Sequence, residues 1–216
     1  MSAAYDAVIL AGGRSTRLGG TPKALLLAGE RTLLETTLAA VPDARNVAVA
    51  GPPELAKLLG STVPAGCPGR PLLVREEPAY AGPAAAVGAA VAALAALTDG
   101  NRDSGESPWT MVLACDMPQV AAAVRALLAA AAVPPAESLL AVDSSGTRQP
   151  LAALYRTADL RAAVDSLAAE GLANKPMKAL LARVQWRGVD VPPTSTADVD
   201  TWNDAQTLGV SAGDLP

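Results

Sequence analysis

Short apolar runs alternate with segments of helical periodicity along almost the whole chain. The apolar runs predict strands at Tyr5–Leu10, Asn46–Ala50, Pro71–Arg75, Trp109–Ala114, Ser138–Val142, Pro150–Tyr155 and Val184–Val191. The helical pattern covers Thr32–Val41, Pro53–Leu59, Ala84–Leu97, Gln119–Ala132, Ala158–Glu170, Lys175–Arg183 and Thr201–Leu208. Polar stretches rich in glycine or proline predict loops at Arg14–Pro22, Ser61–Arg70 and Thr98–Pro108.

This alternation predicts an α/β fold, with a mostly parallel, twisted sheet that carries helices on both faces. The strands Ser138–Val142 and Pro150–Tyr155 flank a Ser-Ser-Gly-Thr turn, so we expect a hairpin or a short crossover between them. No linker is long enough to divide the chain. The prediction is therefore a single domain over residues 1–210, followed by a tail over residues 211–216.

The sheet type also predicts where a ligand binds. In open parallel sheets ligands lie outside the carboxyl ends of the strands, near the point where the strand order reverses. We therefore expect the loops after Leu10, Arg75 and Ala114 to converge on one cleft.

Composition limits the core and the classes of partner. Half of the residues are hydrophobic, with three tryptophans, three tyrosines and no phenylalanine, so the core must consist mainly of Ala, Val and Leu. The alanine-rich segment Ala84–Leu97 is too short and too weakly apolar to span a bilayer. A net charge of −4 and a pI near 4.9 disfavour a nucleic-acid-binding surface. The expectation is a soluble cytoplasmic protein without membrane or nucleic-acid partners.

The chain has no histidine, which removes several kinds of catalysis. Ser-His-Asp and Cys-His nucleophiles, His-ligated zinc and imidazole acid–base steps are all excluded. Cys67 and Cys115 are far apart in the sequence, so no CxxC metal or redox motif exists.

A glycine-rich loop follows the first predicted strand and carries the strongest chemical signal. Its glycines allow the backbone to approach a ligand and to turn N–H groups towards an anion. Arg17 adds a forked donor and Lys23 a point charge, as a polyphosphate requires. The alternative is a glycine-rich turn with two solvated basic residues.

Two acidic positions are candidate metal ligands. Asp116 follows the apolar run that ends at Ala114, where a carboxylate can meet Mg²⁺ on phosphate oxygens, or can cap the next helix. Asp198 and Asp200 are alternate residues of an extended segment, so both can face one metal. Here too a helix cap, at Asp200 or Thr201, is the competing interpretation.

These motifs resemble those of a known enzyme superfamily. Gly12-Gly13-x-x-x-Arg17-x-Gly19-x-x-Pro22-Lys23 and the later Cys115-Asp116-Met117-Pro118 resemble the signatures of nucleotidyltransferases that activate sugars, isoprenoid alcohols and pterin cofactors. With Gly82-Pro83, the segments Arg148–Tyr155, Lys175–Leu180 and Asp198–Thr201 look like the molybdenum cofactor guanylyltransferases. This resemblance covers nearly the whole chain.

The chain departs from that family at several positions. Pro22 stands where the family usually has Asp, as in the sugar and isoprenoid branches, and Glu76 replaces a typical Asp. Gln149 replaces a frequent His, and Asp198-Val-Asp-Thr replaces Asn-x-Asn-Thr. These differences concern the base and the acceptor more than the type of reaction.

The resemblance implies a three-layer Rossmann-like nucleotidyltransferase fold and a Mg²⁺-dependent reaction. The terminal phosphate of molybdopterin would attack the α-phosphorus of GTP and release pyrophosphate. The implied catalytic residues are Arg17, Lys23 and Asp116, and the implied metal ligands are Asp116 and Asp200. The implied nucleotide contacts are Leu10, Ala11, Gly12, Gly13, Arg17, Lys23, Glu76 and Gly82. The acceptor candidates are Lys175, Lys178 and Asp198.

The expected partners are GTP and molybdopterin, with transient contact to other proteins of molybdenum cofactor assembly. Three alternatives stay open: transfer from CTP to molybdopterin, transfer to a sugar or isoprenoid phosphate, and a degenerate nucleotide-binding homologue without activity. Lys175 and Lys178 could also be solvated helix charges, and Glu76 could be an ordinary surface residue.

Overall fold

A computed structural model describes residues 4–13, 15–61, 69–100, 105–133 and 137–213. Cys67, most of the predicted loop Ser61–Arg70, part of the predicted connector Thr98–Pro108 and the end of the predicted tail lie outside the described residues.

Strands and helices alternate along the described chain, as the apolar pattern predicts. The strands are β1 (Tyr5–Leu10), β2 (Leu27–Ala28), β3 (Arg31–Thr32), β4 (Val47–Ala50), β5 (Leu72–Val74), β6 (Trp109–Ala114), β7 (Ser138–Val142), β8 (Arg148–Arg156), β9 (Trp186–Asp190) and β10 (Val210–Ser211). The helices are α1 (Leu33–Ala39), α2 (Ala56–Ser61), α3 (Pro83–Gly100), α4 (Ala121–Ala131), α5 (Thr157–Ala169), α6 (Met177–Leu181) and α7 (Trp202–Thr207). Single 3₁₀ turns lie at Thr16–Leu18, Lys23–Leu25 and Pro53–Leu55.

Seven strands form the central sheet in the order β5-β4-β1-β6-β8-β7-β9. Strand β8 runs antiparallel to both of its neighbours, and all the other pairs are parallel. Strand β1 lies between β4 and β6, so the strand order reverses there, and Leu10 at its end pairs with Ala50 and Ala114. A crevice at this reversal is where such a sheet binds ligands.

Alternate residues of the central strands enter two separate cores, one on each face of the sheet. In β1, Ile9 packs with the α1, α2 and α4 side chains, whereas Val8 packs with α3, α5 and α6. Helix α3 buries Ala84, Ala86 and Ala90, whose small side chains allow a close approach to the sheet. The predicted three-layer α/β/α fold is confirmed.

Several boundaries differ from the prediction. Helix α3 continues to Gly100, so the first residues of the predicted connector Thr98–Pro108 are helical. The pair β7 and β8 is the expected hairpin. None of the helices in the described part of the chain combines the length and the apolar character that a bilayer span needs.

A second sheet, in the order β10-β2-β3, was not predicted. Its two-residue strands are too short to show an alternating pattern in the sequence. Because Ser211 pairs with Leu27, the segment expected to be a tail begins inside this sheet.

The small sheet covers a third hydrophobic core beneath the glycine-rich loop. The buried residues of this third core come from the loop, the region of the small sheet, α1 and the C-terminal part of the chain: Leu18, Leu26, Leu33, Val199, Ala205 and Val210. This core therefore fixes the loop against the C-terminal segment, although the two are far apart in sequence.

We expect Leu18→Ala to lower the free energy of unfolding by about 2–5 kcal/mol, because the substitution leaves a cavity in this small core. Urea denaturation measures the change. Leu97→Ala is the matched control, since Leu97 is 39% exposed and its truncation should cost less than about 0.5 kcal/mol. Equal losses in the two variants would contradict the proposed packing role of Leu18.

Candidate active site

A cleft of about 370 Å³ opens at the carboxyl ends of β1 and β6. Residues from all three loops that were expected to converge line it, including Gly12 and Gly13 after β1, Glu76 after β5 and Asp116 after β6. Lys23 lies at the same cleft. The convergence predicted from sheet topology is therefore confirmed.

The glycine-rich loop curls tightly beside this cleft. Ala11 donates its backbone N–H to the Ala50 carbonyl at 2.8 Å, which fixes the start of the loop on the sheet. Gly13 has φ 139° and Gly20 has φ 86°, conformations that side chains disfavour. Between them, the 3₁₀ turn at Thr16–Leu18 inserts Leu18 into the third core and leaves Arg17 at the surface.

Lys23 bridges two carboxylates that come from distant parts of the chain. Its Nζ donates to Asp116 Oδ2 at 2.9 Å and to Asp200 Oδ1 at 2.6 Å. Burial acts to lower the pKa of Lys23, but Asp116 and Asp200 outweigh it, so the pKa lies above its ordinary value. The ammonium group is therefore charged and held by the carboxylates.

Asp116 does not cap the helix that follows it. Helix α4 begins at Ala121, and its N-cap residue, Val120, makes no side-chain capping bond. The Asp116 carboxylate instead accepts from Lys23, and the preceding residue, Cys115, donates its N–H to the Leu10 carbonyl at 3.0 Å. The capping interpretation is wrong, and the side chain belongs to the cleft.

The segment Asp198–Asp200 lies against Asp116. The Val199 N–H donates to the Asp116 carbonyl at 2.9 Å, and the Val199 side chain is buried in the third core. Asp198 and Asp200 project away from that core. As a result, ligand oxygens of Asp116, Asp198 and Asp200 all lie within 4.8 Å of one another.

The competing helix cap is Thr201, not Asp200. Thr201 Oγ1 accepts from the Asp204 N–H, and the Asp204 carboxylate accepts from the Thr201 N–H, which forms a capping box. The capping interpretation of this motif is therefore confirmed at Thr201, and it does not use the side chain of Asp200. Asp200 is left to accept from Lys23 and from Arg17 Nη1, the latter at 2.9 Å.

The electrostatics of the cluster suit a divalent cation. Burial raises the pKa of Asp198, and the like charges of Asp116 and Asp200 raise it further. Three carboxylates so close together repel one another, and hard divalent cations prefer such oxygen donors. The donor set of Asp116, Asp198 and Asp200 therefore fits a metal such as Mg²⁺ or Mn²⁺.

The predicted nucleotide contacts Glu76 and Gly82 lie on one turn at the cleft. Glu76 Oε1 accepts from the Tyr80 N–H at 2.9 Å, and Gly82, with φ 93°, immediately precedes α3. Leu10, Gly12 and Gly13 line the same cleft, and Ala11 lines an adjoining cavity.

The predicted acceptor residues are dispersed. Asp198 lies in the carboxylate cluster. Lys175 is half-buried. The preceding residue, Asn174, donates its N–H to the Ala81 carbonyl at 2.6 Å, and this bond places Lys175 near Gly82. Lys178 is exposed on α6. Neither lysine lines the cleft described above.

Sequence reasoning did not assign to the site several other residues that line the cleft: Tyr80, Pro83, Ala86, Ala114 and Leu151. Tyr80 lies between Glu76 and Gly82 in the sequence, and that position is the one signal that could have identified it. Cys115 also lines the cleft, but burial, followed by the charge of Asp116, raises the pKa of its thiol. Cys115 is therefore a buried, protonated thiol that packs as a small core residue.

A profile of the MobA-like NTP transferase domain matches residues 7–186. The match includes the glycine-rich loop, Lys23 and Asp116, and it ends before Asp198 and Asp200.

Two solved structures share the fold over nearly the whole chain. The Rv0371c homologue of Mycobacterium sp. strain JC1 is 25% identical, with a TM-score of 0.66, over 94% of both chains. Molybdopterin-guanine dinucleotide biosynthesis protein A of Archaeoglobus fulgidus is 18% identical, with a TM-score of 0.63, over 94% of this chain and 96% of the other. At 18% identity, the likeness to the Archaeoglobus fulgidus protein shows the fold alone.

A local match connects the chain to a different branch. The 2-C-methyl-D-erythritol 4-phosphate cytidylyltransferase of Thermus thermophilus is 59% identical over 46 residues. The match spans 21% of this chain and 22% of that curated relative.

We expect Lys23→Ala to tighten Mn²⁺ binding at least about tenfold when no nucleotide is present. The substitution removes a partly buried positive charge that lies within hydrogen-bonding distance of two candidate ligands. Electron paramagnetic resonance of free Mn²⁺ gives the affinity.

Arg17→Ala is the control for loss of a positive charge. The Arg17 side chain is 70% exposed, so solvent and salt screen it and its removal should change Mn²⁺ affinity much less. Unchanged or weaker Mn²⁺ binding by Lys23→Ala would show that Lys23 and the metal do not share these carboxylates.

Proposed function

We propose, because the chain belongs to the MobA-like NTP transferase family, that it transfers GMP from GTP to the terminal phosphate of molybdopterin. The observation that carries the proposal is the cluster in which Lys23 and Arg17 meet Asp116 and Asp200 beside Gly12 and Gly13. The two cations and the backbone N–H groups complement the negative phosphate oxygens of a triphosphate. The carboxylates complement the metal ion that a triphosphate carries.

In this proposal the loop and the two cations hold the triphosphate. The loop N–H groups near Gly12 and Gly13 donate to phosphate oxygens, Lys23 meets the β- and γ-phosphates, and Arg17 provides a second, more mobile charge. Because both cations pair with Asp200, triphosphate binding would exchange these carboxylate oxygens for phosphate oxygens. That exchange keeps the charges compensated at each stage.

The chemical step needs no protein nucleophile. An oxygen of the acceptor phosphate attacks the α-phosphorus in line, a new P–O bond forms, and the bond from the α-phosphorus to the bridging oxygen breaks as pyrophosphate leaves. The attacking phosphate is already an anion near neutral pH, so a chain without histidine can perform the step. Arg17 and Lys23 act by positioning and by neutralising charge.

The carboxylates of Asp116 and Asp200, with Asp198 beside them, would hold the metal. When bound, Mg²⁺ would supply charge neutralisation on the phosphate oxygens. Lys23 then contributes a fixed ammonium group next to this site, with only 20% of its side chain exposed.

Acceptor binding is assigned to the side of the cleft near Gly82. The backbone of Lys175 lies close to that glycine in space, and Lys178 is on the exposed surface of the next helix, α6. Both lysines are proposed to attract the acceptor phosphate, and Asp198 is proposed to act with the metal ligands rather than with the lysines.

Base selection is assigned to Glu76. Guanine offers N1–H and an exocyclic amine on one edge, and a carboxylate can accept from both. Glu76 lines the cleft with Leu10 and Gly12, where the small loop residues bring the backbone close to a base.

A second candidate is cytidylyl transfer, with molybdopterin or an isoprenoid-type phosphate as acceptor. The 46-residue match to a cytidylyltransferase favours it, and so does Pro22. Glu76 Oε1 already accepts from the Tyr80 N–H, so Oε2 is the freer oxygen. A single acceptor oxygen suits the one exocyclic amine of cytosine.

Pyrophosphate release from GTP, CTP, UTP and ATP with Mg²⁺ tests the proposal. Each nucleotide is assayed alone, with molybdopterin, and with 2-C-methyl-D-erythritol 4-phosphate. Release that requires GTP and molybdopterin supports the primary proposal. Release that requires CTP supports the second candidate, and absence of release in all arms would contradict nucleotidyl transfer.

In a competition at equal concentrations of GTP and CTP, we expect at least about tenfold preference for GTP. Cytosine would leave the Glu76 carboxylate partly unpaired in the cleft, which costs on the order of 1–3 kcal/mol. Glu76→Gln should reduce the preference, because an amide presents only one acceptor oxygen. Equal incorporation of the two nucleotides, or preference for CTP, would assign the protein to the cytidylyl branch.

We expect Asp116→Asn to lower turnover at least about a hundredfold while the protein stays folded. The substitution removes an anionic metal ligand and one partner of Lys23, and such charge stabilisation is largest in the transition state. Asp165→Asn, at an exposed position of α5, is the matched control. If Asp116→Asn keeps more than about a tenth of wild-type activity with circular dichroism unchanged, Asp116 is not a metal ligand.

A further inference from the structure

Among the aromatic residues of the described chain, Tyr80 and Trp202 are exposed, and Tyr80 is the one that lines the cleft. Tyr5 and Tyr155 are fully buried and Trp109 is nearly so, whereas Tyr80 is 49% exposed. Tyr80 lines the main cleft, together with Glu76 and Gly82. It also lines the adjoining cavity between the glycine-rich loop and the segment after β4. Its ring therefore borders the space on both sides of Gly12 and Gly13.

The backbone holds this ring in a defined place. Tyr80 has φ 61°, a conformation that is rare for a residue with a large side chain. Its N–H donates to Glu76 Oε1, and the next residue, Ala81, donates to the Pro78 carbonyl at 3.2 Å. The Arg75 guanidinium lies 5.7 Å from the ring centroid, within the range of a cation–π contact. An exposed tyrosine that is restrained in this way is suited to contact a ligand.

We propose that the Tyr80 ring is the surface on which the base of the nucleoside triphosphate stacks. This inference rests on the proposed function and adds to it the residue that binds the base by its flat face. Glu76 and Tyr80 share one turn, so a base whose edge meets the carboxylate lies within reach of the ring. Lys23 lines the same cleft, so a base at Tyr80 and phosphates at Lys23 would lie within one continuous space.

Stacking and edge recognition should have separable effects. Every base has an aromatic face, so stacking strengthens the binding of all nucleotides with little selectivity. Edge recognition by Glu76 discriminates among bases. Truncation of Tyr80 should therefore weaken the binding of GTP and of CTP by similar factors, so that the ratio of the two affinities stays unchanged.

Calorimetry with GTP, CTP and inorganic tripolyphosphate, each with Mg²⁺ and without acceptor, tests the inference. For Tyr80→Ala and Tyr80→Leu we expect about tenfold or greater loss of affinity for both nucleotides. Tripolyphosphate has no base, so its affinity should stay within about twofold. Omission of the acceptor ensures that the ring of a pterin cannot account for the effect.

Tyr80→Phe is the matched control, because it keeps the ring and removes only the hydroxyl group. It should bind both nucleotides within about threefold of the wild-type affinity. Leucine keeps apolar bulk without an aromatic face, so normal nucleotide binding by Tyr80→Leu would overturn the stacking role. Equal weakening of tripolyphosphate and nucleotides would also overturn it, since the ring would then act on the phosphate loop.

The stacking role of Tyr80 and the proposed function can be contradicted separately. If the wild-type protein binds GTP and CTP and the Tyr80 variants match it, only the role of Tyr80 is wrong. If the wild-type protein binds no nucleotide at all, the proposed function is contradicted, and the stacking role falls with it.

Discussion

The ammonium group of Lys23, held between Asp116 and Asp200, is the interaction on which the architecture of the site depends. It joins the glycine-rich loop, the end of β6 and the segment before α7, which are far apart in the sequence. Without this cation, three carboxylates would lie within 4.8 Å of one another with little to offset their repulsion. A divalent cation could offset the same repulsion, because it would bring positive charge to the same carboxylate oxygens.

A site with so many charges needs a rigid frame, and the small third core provides one. Leu18 precedes the Gly19–Gly20 pair and follows Arg17, while Val199 lies between Asp198 and Asp200. Each buried side chain is thus adjacent to the charged residues that it positions. The Val199 N–H also bonds to the Asp116 carbonyl, so the backbone, rather than the charges alone, sets the distance between the carboxylates.

The sequence was most informative where a signal is local. Buried runs such as Trp109–Ala114 identified strands with correct ends, and alternation identified Asp198 and Asp200 as residues on one side of their segment. It could not decide whether Asp116 caps a helix, because that depends on where α4 begins. The small sheet and Tyr80 escaped because two-residue strands have no period, and because a single tyrosine shows no sign of its exposure.

The proposed phosphate end and the proposed base end of the cleft differ in how they are encoded, and this explains why the reaction class is easier to infer than the substrate. At the phosphate end, charge complementarity restricts the residues to a few types, so Arg17, Lys23 and Asp116 are informative by identity alone. At the proposed base end, selection by Glu76 would depend on which of its two carboxylate oxygens is available. Glu76 Oε1 already accepts from the Tyr80 N–H, a contact set by the conformation of a turn. A rotation of that turn would change which Glu76 oxygens a base could reach without any change in residue type, so residue identity alone encodes the proposed base end less completely than the proposed phosphate end.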